Sequence, residues 1–227
     1  MIYMVLGLVL SGIGALVSNR LKSKFQKYSQ VPLGSGLSGK EVAEQMLAHY
    51  GINDVKVVPA QGTLTDHYNP KTKTIALSEP VYNARTVAAA AVAAHECGHA
   101  IQHDTSYAFL QMRSAIVPIV SLASKAQQFL IMFALGFMGL SSNPYLLFAT
   151  VVVFGITALF SFITLPVEFD ASKRAMVWLD ESGVAKSDEE YFGAKDALNW
   201  AAMTYVAAAL SALVYFLFFL LRFASSR

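Results

Sequence analysis

Long uncharged apolar runs alternate with charged segments along this chain, and the runs are long enough to cross a bilayer. A spanning helix needs about 20 predominantly apolar residues, because the hydrocarbon core is about 30 Å thick. The pattern predicts about four transmembrane helices, and the first, near the lower length limit, reads as an uncleaved anchor. The approximate bounds are 2–18, 115–140, 145–167 and 201–221.

The second run is the weakest of the set, because Lys125 and two glutamines interrupt it. Either Lys125 extends its ammonium group to the membrane surface, or the span begins near Ala126. In both cases residues 141–144, with the sequence SSNP, are expected to form a tight turn into the third span.

The segment between the first two runs has the mixed pattern of a globular domain. Ser38 suits the N-cap of an amphipathic helix, and residues 55–60 are typical of a strand. Residues 63–78 alternate on either side of the turn NPKTK, which predicts a β-hairpin. Residues 78–104 then predict one long helix or two in succession. The fold class is therefore a mainly α membrane protein with a small α+β domain.

Basic residues are concentrated on one side of the predicted spans. They follow the first and third runs and precede the second, so the positive-inside rule places both intervening segments in the cytoplasm. Two arginines in the tail oppose this assignment. The expected organisation is an anchor at 1–19, a cytoplasmic segment at 20–113, a transmembrane hairpin at 114–167, a cytoplasmic helix at 168–200, and a last span with its tail at 201–227.

Composition agrees with a partly membrane-embedded chain. Hydrophobic residues make up 55% and charged residues 14%, against about 25% charged in ordinary soluble domains. The net charge of +2 gives no argument for nucleic-acid binding. The single cysteine excludes an internal disulfide framework and a cysteine-rich zinc ribbon.

The candidate chemistry lies in the stretch HECGH, residues 95–99, which fits the pattern HExxH. Residues four apart on an α-helix are offset by only about 40°, so His95 and His99 can bind one zinc ion. Glu96 lies about 100° round from His95, where it can accept the proton of a zinc-activated water. The pattern indicates a zincin-like site, although a pair of surface histidines would show the same spacing.

Two other residues in or near the motif, Cys97 and His103, are weaker candidates for metal ligands. Cys97 projects away from His95 and is expected to be a small packing residue. Gly98 removes bulk where another backbone could pass close by. His103 continues the histidine row, but positions i, i+4 and i+8 span roughly 12 Å, too far for one tetrahedral zinc. A third ligand should therefore come from another segment.

Residues 164–183 are the best source of that ligand, because they lie on the same predicted side of the membrane. Pro166 suits the first turn of a new helix, which places Glu168 at the membrane exit. Asp180 and Glu181, at the far end of the same helix, are the alternatives. Otherwise Glu168 is an interfacial carboxylate that pairs with a neighbouring basic residue.

With these residues in hand, the chain resembles the YugP-type membrane-bound neutral zinc metallopeptidases. The blocks HYNPKTKTIALSEPVYN, HECGHAIQH, LPVEFDASKRA and AAMTYVAAAL are similar to that family's blocks, in its order. The resemblance implies a gluzincin site with one zinc ion per chain. It implies His95, His99 and Glu168 as ligands and Glu96 as general base.

A more distant resemblance is to the HtpX-type membrane proteases, whose third block reads ExxxD. Here Ser172 stands where that aspartate would orient a ligand histidine. Either Asp170 or Ser172 is then expected to take its place. Gluzincins also pair extended substrate with a strand, and the resemblance assigns this to the strand near 73–78.

Peptide hydrolysis also needs a donor for the developing oxyanion. The candidates are Tyr205, Tyr191, His67 and His103. The function expected is a metalloendopeptidase of the plasma membrane, multi-pass and active on the cytoplasmic side, with protein or peptide substrates at the bilayer and no nucleic acid. Two rivals stay open, namely a site-2-type intramembrane protease and a noncatalytic protein with a structural zinc.

Overall fold

The computed structural model describes residues 2–136 and 144–226, without the side chains of residue 2 and residues 131–136. Seven helices and three strands are described. In chain order they are α1 Ile2–Tyr28, α2 Gly39–His49, β1 Lys56–Ala60, β2 His67–Asn69, β3 Thr74–Ser78, α3 Glu79–Tyr82, α4 Val87–Asp104, α5 Ala108–Gly136, α6 Pro144–Glu181 and α7 Asp188–Ala224. The predicted SSNP turn lies outside the described residues apart from its proline.

Three described helices, α1, α6 and α7, are long and apolar enough to cross a membrane. The prediction of about four spans is supported for these three. A fourth arises among the described residues only if α4 and α5, which meet at 91°, are counted together as one bent span. The predicted second span corresponds to part of α5 and continues beyond the described residues.

Helix α6 corrects the prediction that a new helix begins near Pro166. The helix runs unbroken from Pro144 to Glu181, with Pro166 in its interior. Proline has no N–H, so the break was expected where one helical hydrogen bond is lost. In an apolar helix the surrounding packing tolerates that loss. The third predicted span and the segment that carries Glu168 are therefore one continuous helix.

Helices α1 and α7 also extend beyond the spans that apolar runs predicted. α1 continues through a charged stretch to Tyr28, and α7 begins at Asp188, where the Ser187 side chain accepts a hydrogen bond from Glu190 N–H. The charged ends of the two helices are joined to each other, because Asp196 of α7 bonds Lys24 and Tyr28 of α1. Both helices also pack on α4. The expected boundaries near 19 and 200 therefore fall inside helices.

The globular elements form as the local patterns predicted. Ser38 caps α2 in a capping box, since its hydroxyl accepts from Glu41 N–H and its own N–H donates to the Glu41 carboxylate. The hairpin pairs β2 with β3 antiparallel, while β1 joins β3 in parallel. The strand order is β1-β3-β2, so β3 is central and β2 lies at an edge. Residues 78–104 form two successive helices, as one reading expected.

The core surrounds the alanine-rich first half of α4. Alanines 88–91, 93 and 94 are at most 2% exposed, and α2, α6 and α7 pack around this helix. Cys97 is fully buried in the same core with its thiol directed at the Ala43 carbonyl, which confirms its packing role. Small side chains let the neighbouring backbones come close to α4, and this positions α6 beside the HExxH motif.

Candidate metal centre

Two helices far apart in sequence bring three metal-binding side chains together. His95 and His99 from α4 and Glu168 from α6 offer ligand atoms that all lie within 4.8 Å of one another. Oε2 of Glu168 lies 3.3 Å from Nε2 of His95 and 3.5 Å from Nε2 of His99. Glu168 is 2% exposed, so this carboxylate is buried directly opposite the two imidazoles.

The outer nitrogen of each imidazole has its own polar partner. Nδ1 of His95 lies 3.1 Å from the Ser172 hydroxyl, one turn beyond Glu168 on α6. Nδ1 of His99 lies 3.1 Å from Oε1 of Gln102, which is fully buried. Partners of this kind fix the ring orientation of metal-binding histidines.

The Gln102 amide determines which nitrogen of His99 carries the proton. Its NH2 group donates to the Val167 carbonyl at 2.7 Å and to Asp170 Oδ2 at 2.9 Å. The amide oxygen must therefore face His99, and only a protonated Nδ1 can donate to it. Nε2 of neutral His99 is left with a lone pair that points toward Glu168.

Only one of the two carboxylate oxygens of Glu168 has a hydrogen-bond partner among the described residues. Its Oε1 accepts a hydrogen bond from Arg113 at 3.0 Å, whereas its buried Oε2 has no hydrogen-bond partner among the described residues. An ionised carboxylate oxygen facing an imidazole lone pair is unfavourable unless a proton or a metal ion lies between them. Two imidazole nitrogens with one carboxylate oxygen form the donor set that zinc accepts, so the residues fit this ion.

A second acidic residue, Asp170, is connected to His99 through the Gln102 side chain. Asp170 accepts hydrogen bonds from Gln102 and, at 2.6 Å, from Nε of Arg174. It therefore reaches His99 through the Gln102 amide, while Ser172 contacts His95 directly. Asp170 and Ser172, the alternatives for one missing aspartate, therefore serve different histidines, Ser172 by direct contact and Asp170 through Gln102.

Glu96 lies beside this group and faces a cavity of about 280 Å³. The three candidate ligands, Arg113, Tyr205 and His67 also line this cavity. Glu96 is 7% exposed and Tyr205 is 36% exposed, so both side chains can meet a molecule that enters. A carboxylate, a phenol and a potential metal site converge on one space.

The remaining candidates lie elsewhere. His103 bonds the Tyr68 hydroxyl at 2.7 Å and is not part of the three-residue group. Tyr191 packs at the edge of the hydrophobic core rather than in the described lining of the cavity. Asp180 and Glu181 are exposed at the end of α6 and lie outside the group of His95, His99 and Glu168. A site-2-type protease would take Asp180 as its third ligand, and the described residues do not place it there.

Two residues of the site were not identified from the sequence. Gln102 stands three positions after His99, a spacing at which side chains on one helix meet, so its contact could have been inferred. Arg113 was used only as a marker of membrane orientation, and no local pattern links it to Glu168. Only the packing of α5 on α6 brings these two residues together.

The structure also changes which strand can pair with an extended substrate. Over Thr74–Ala76, the strand β3 near 73–78 has β1 on one side and β2 on the other, so both of its edges are occupied there. β2 lies at the sheet edge, and His67 and Tyr68 of β2 line the cavity beside Glu96. The assignment of β3 is wrong for these three residues, because β2 covers them and contributes the strand residues that line the cavity.

Comparison with known proteins agrees with this donor set. The family described as "Putative neutral zinc metallopeptidase" matches residues 2–224. A protein of Bacillus subtilis (strain 168) named "Putative membrane protease YugP" is 41% identical over 227 residues, which cover 100% of this chain and 99% of the relative. No solved structure matches the chain.

Proposed function

We propose that this chain, which belongs to the family of neutral zinc metallopeptidases, is a membrane-bound zinc-dependent endopeptidase. The observation that carries the proposal is the buried, unpartnered Oε2 of Glu168 opposite the Nε2 atoms of His95 and His99. Glu96 beside this group distinguishes a catalytic site from a structural one, because a structural zinc needs no base.

In this proposal His95, His99 and Glu168 hold one zinc ion, which when bound supplies Lewis acidity to a peptide carbonyl and to a water molecule. Glu96 accepts the proton of the attacking water and delivers it to the leaving amine. Ser172 and Gln102 hold the two imidazoles in orientation, and Arg113 holds the outer oxygen of Glu168.

Tyr205 is the best candidate for the oxyanion donor. It lines the cavity beside Glu96, is 36% exposed, and carries a neutral hydroxyl that can donate to developing negative charge. His67 lines the same cavity but lies on β2, and its Nδ1 already contacts the Thr65 carbonyl at 2.8 Å. We assign His67 to substrate positioning along the β2 edge.

We place the active site on the cytoplasmic side of the plasma membrane in a multi-pass protein. The basic residues at the ends of the predicted spans support this orientation, and three apolar helices support membrane insertion. Protein or peptide substrates would then be membrane proteins or soluble segments close to the bilayer.

Metal content and proteolysis of detergent-purified protein test the proposal together. The wild type should hold one zinc per chain and cleave an unfolded protein such as reduced casein. Glu168→Ala should lose most of the zinc, whereas Glu181→Ala, at the exposed end of the same helix, should keep it. Glu96→Gln should keep zinc and lose cleavage by at least about 100-fold.

Each result has a distinct meaning. Full zinc in Glu168→Ala would remove Glu168 from the ligand set. Zinc in the wild type without cleavage of any substrate, together with normal cellular function of Glu96→Gln, would favour the structural-zinc alternative. The Glu181→Ala control guards against a general loss of metal through damage to α6.

A further inference from the structure

A second cavity, of about 170 Å³, meets the first at the proposed catalytic glutamate. Four residues line both cavities: Asp66, His95, Glu96 and Tyr205. The two spaces are therefore neighbours that share a wall, and Glu96 is part of that wall. A substrate whose reacting carbonyl lies at Glu96 would extend into both.

The part of the second cavity that is not shared with the first is almost entirely apolar. Among the described residues that line it and not the first cavity, Thr204 is the only one with a polar side chain. The apolar wall comes from α1, α4, α7 and the loop between β1 and β2. Its members include Phe25, Leu64, Val92 and Ala201.

The apolar wall stands directly beside the chemistry. Val92 precedes Glu96 by one helical turn on α4, so the two side chains project to the same side of that helix. Ala201 precedes Tyr205 by one turn on α7 in the same way. Because the side chain of Ala201 is a single methyl group, it leaves the second cavity open at this position.

Leu64 adds an unusual feature at the rim. Its φ of 57° lies in the left-handed region that bulky residues rarely adopt, and its side chain is 43% exposed. The loop is fastened just after it, because Asp66 accepts hydrogen bonds from the N–H and hydroxyl of Ser78. Strained backbone of this kind clusters at ligand-binding sites.

We propose that this cavity, which we call the apolar subsite, binds a large apolar side chain of the substrate residue next to the scissile bond. The inference rests on the proposed peptidase function. A cavity of about 150 Å³ lined by aliphatic and aromatic groups accepts benzene, so this volume suits a leucine or phenylalanine side chain. A charged side chain would lose its hydration against the apolar wall, where Thr204 is the one polar side chain outside the wall shared with the first cavity.

The test compares the wild type with a variant whose subsite is filled. Zinc-loaded, detergent-purified protein is given a mixture of randomised peptides, and the cleavage positions are read by mass spectrometry. Ala201→Phe fills the cavity. Ala208→Phe makes the same change at an exposed position two turns further along α7 and serves as the matched control.

The wild type and Ala208→Phe should cut beside Leu or Phe, with kcat/KM at least about 10-fold above that of an otherwise identical peptide with Ala. Ala201→Phe should reduce this ratio by about 10-fold while it still cleaves the Ala peptide. Binding gives a second readout in the Glu96→Gln background, where the Phe peptide should bind more tightly than the Ala peptide only if Ala201 is unchanged.

The outcomes separate the subsite from the peptidase activity. Cleavage without preference, or with preference for Lys, Arg or acidic residues, would overturn the apolar subsite and leave the peptidase function intact. An unchanged preference in Ala201→Phe would also overturn it. No cleavage of any peptide by the zinc-loaded wild type would overturn the peptidase function and the subsite with it.

Discussion

Gly98 of α4 packs directly against the backbone of Ala171 in α6. A Cβ atom at position 98 would lie 2.5 Å from the Ala171 carbonyl oxygen and 2.9 Å from its Cα. The glycine was expected to mark the close passage of another backbone, and this contact confirms it. Because Glu168 lies one turn before Ala171, the same contact sets the separation between Glu168 and the two histidines.

Substitution of this glycine should therefore weaken the metal site as well as the fold. Gly98→Ala would push α6 away from α4, at a cost of about 1–3 kcal/mol, and reduce zinc affinity. Gly12→Ala in α1 is the matched control, since nothing lies within 4 Å of a Cβ there. Thermal unfolding and zinc titration measure both effects, and equal behaviour of the two variants would show that the contact is not tight.

Gln102 should contribute to zinc affinity although it is not a ligand. Gln102→Leu removes the acceptor that fixes the His99 tautomer, and loss of such a partner typically weakens metal binding about 10- to 100-fold. Gln111→Leu, an exposed change on α5, should leave the affinity unaltered. Competition with a zinc-binding dye measures the affinity, and an unchanged value for Gln102→Leu would assign the residue to packing alone.

Local patterns in the sequence predicted much of the site. The HExxH spacing places His95 and His99 on one helical side wherever that helix lies, and the Ser38 capping box and the β2–β3 hairpin depend on neighbouring residues. Glu168 could be selected because the distribution of basic residues predicts its segment on the same side of the membrane as the two histidines. The helix, cap and hairpin inferences rest on interactions between residues close in sequence. The choice of Glu168 rests on the expectation that both segments lie on one side of the membrane.

The parts that were missed or wrong depend on packing between distant segments. Pro166 would end an isolated helix, but α6 continues through it between α5 and α7. The strand order, which places β2 rather than β3 at the edge, depends on how β1 joins the hairpin. Arg113 meets Glu168 only after α5 packs on α6, and no periodicity within either helix encodes that contact.

The capping box of α2 should give stability that depends on pH. The Ser38 N–H and hydroxyl, with Arg85, lower the pKa of Glu41 from 4.5 to about 2. A lowered pKa means that the carboxylate stabilises the fold above about pH 4.5 and that this contribution is lost as the pH falls through about 2. The Tm difference between wild type and Glu41→Gln should therefore be larger at pH 7 than at pH 3. A difference independent of pH would indicate that the charge is not involved.

Acid should release the metal through the ligand histidines. Protons compete with zinc for the imidazole nitrogens, so we expect zinc to be lost below about pH 5 and to return on neutralisation. Dialysis at stepped pH followed by elemental analysis measures this, with far-UV circular dichroism as a check that the helices persist. Zinc retained at about pH 4 would argue against ligation by two histidines.

Arg113 should matter most when no metal is bound. Its guanidinium is the one cation that contacts the buried Glu168 carboxylate among the described residues, at 3.0 Å, and it is itself 29% exposed. Arg113→Gln would leave that carboxylate without a charged partner in the metal-free protein, at a cost of about 1–3 kcal/mol. Zinc supplies the missing positive charge, so the loss of Tm should be clearly smaller in the zinc-loaded protein.

Lys40→Gln, which breaks an exposed ion pair with Glu44, is the control and should change Tm little in either state. An equal loss for Arg113→Gln with and without zinc would mean that Arg113 acts by packing α5 on α6 and not by compensating the charge of Glu168.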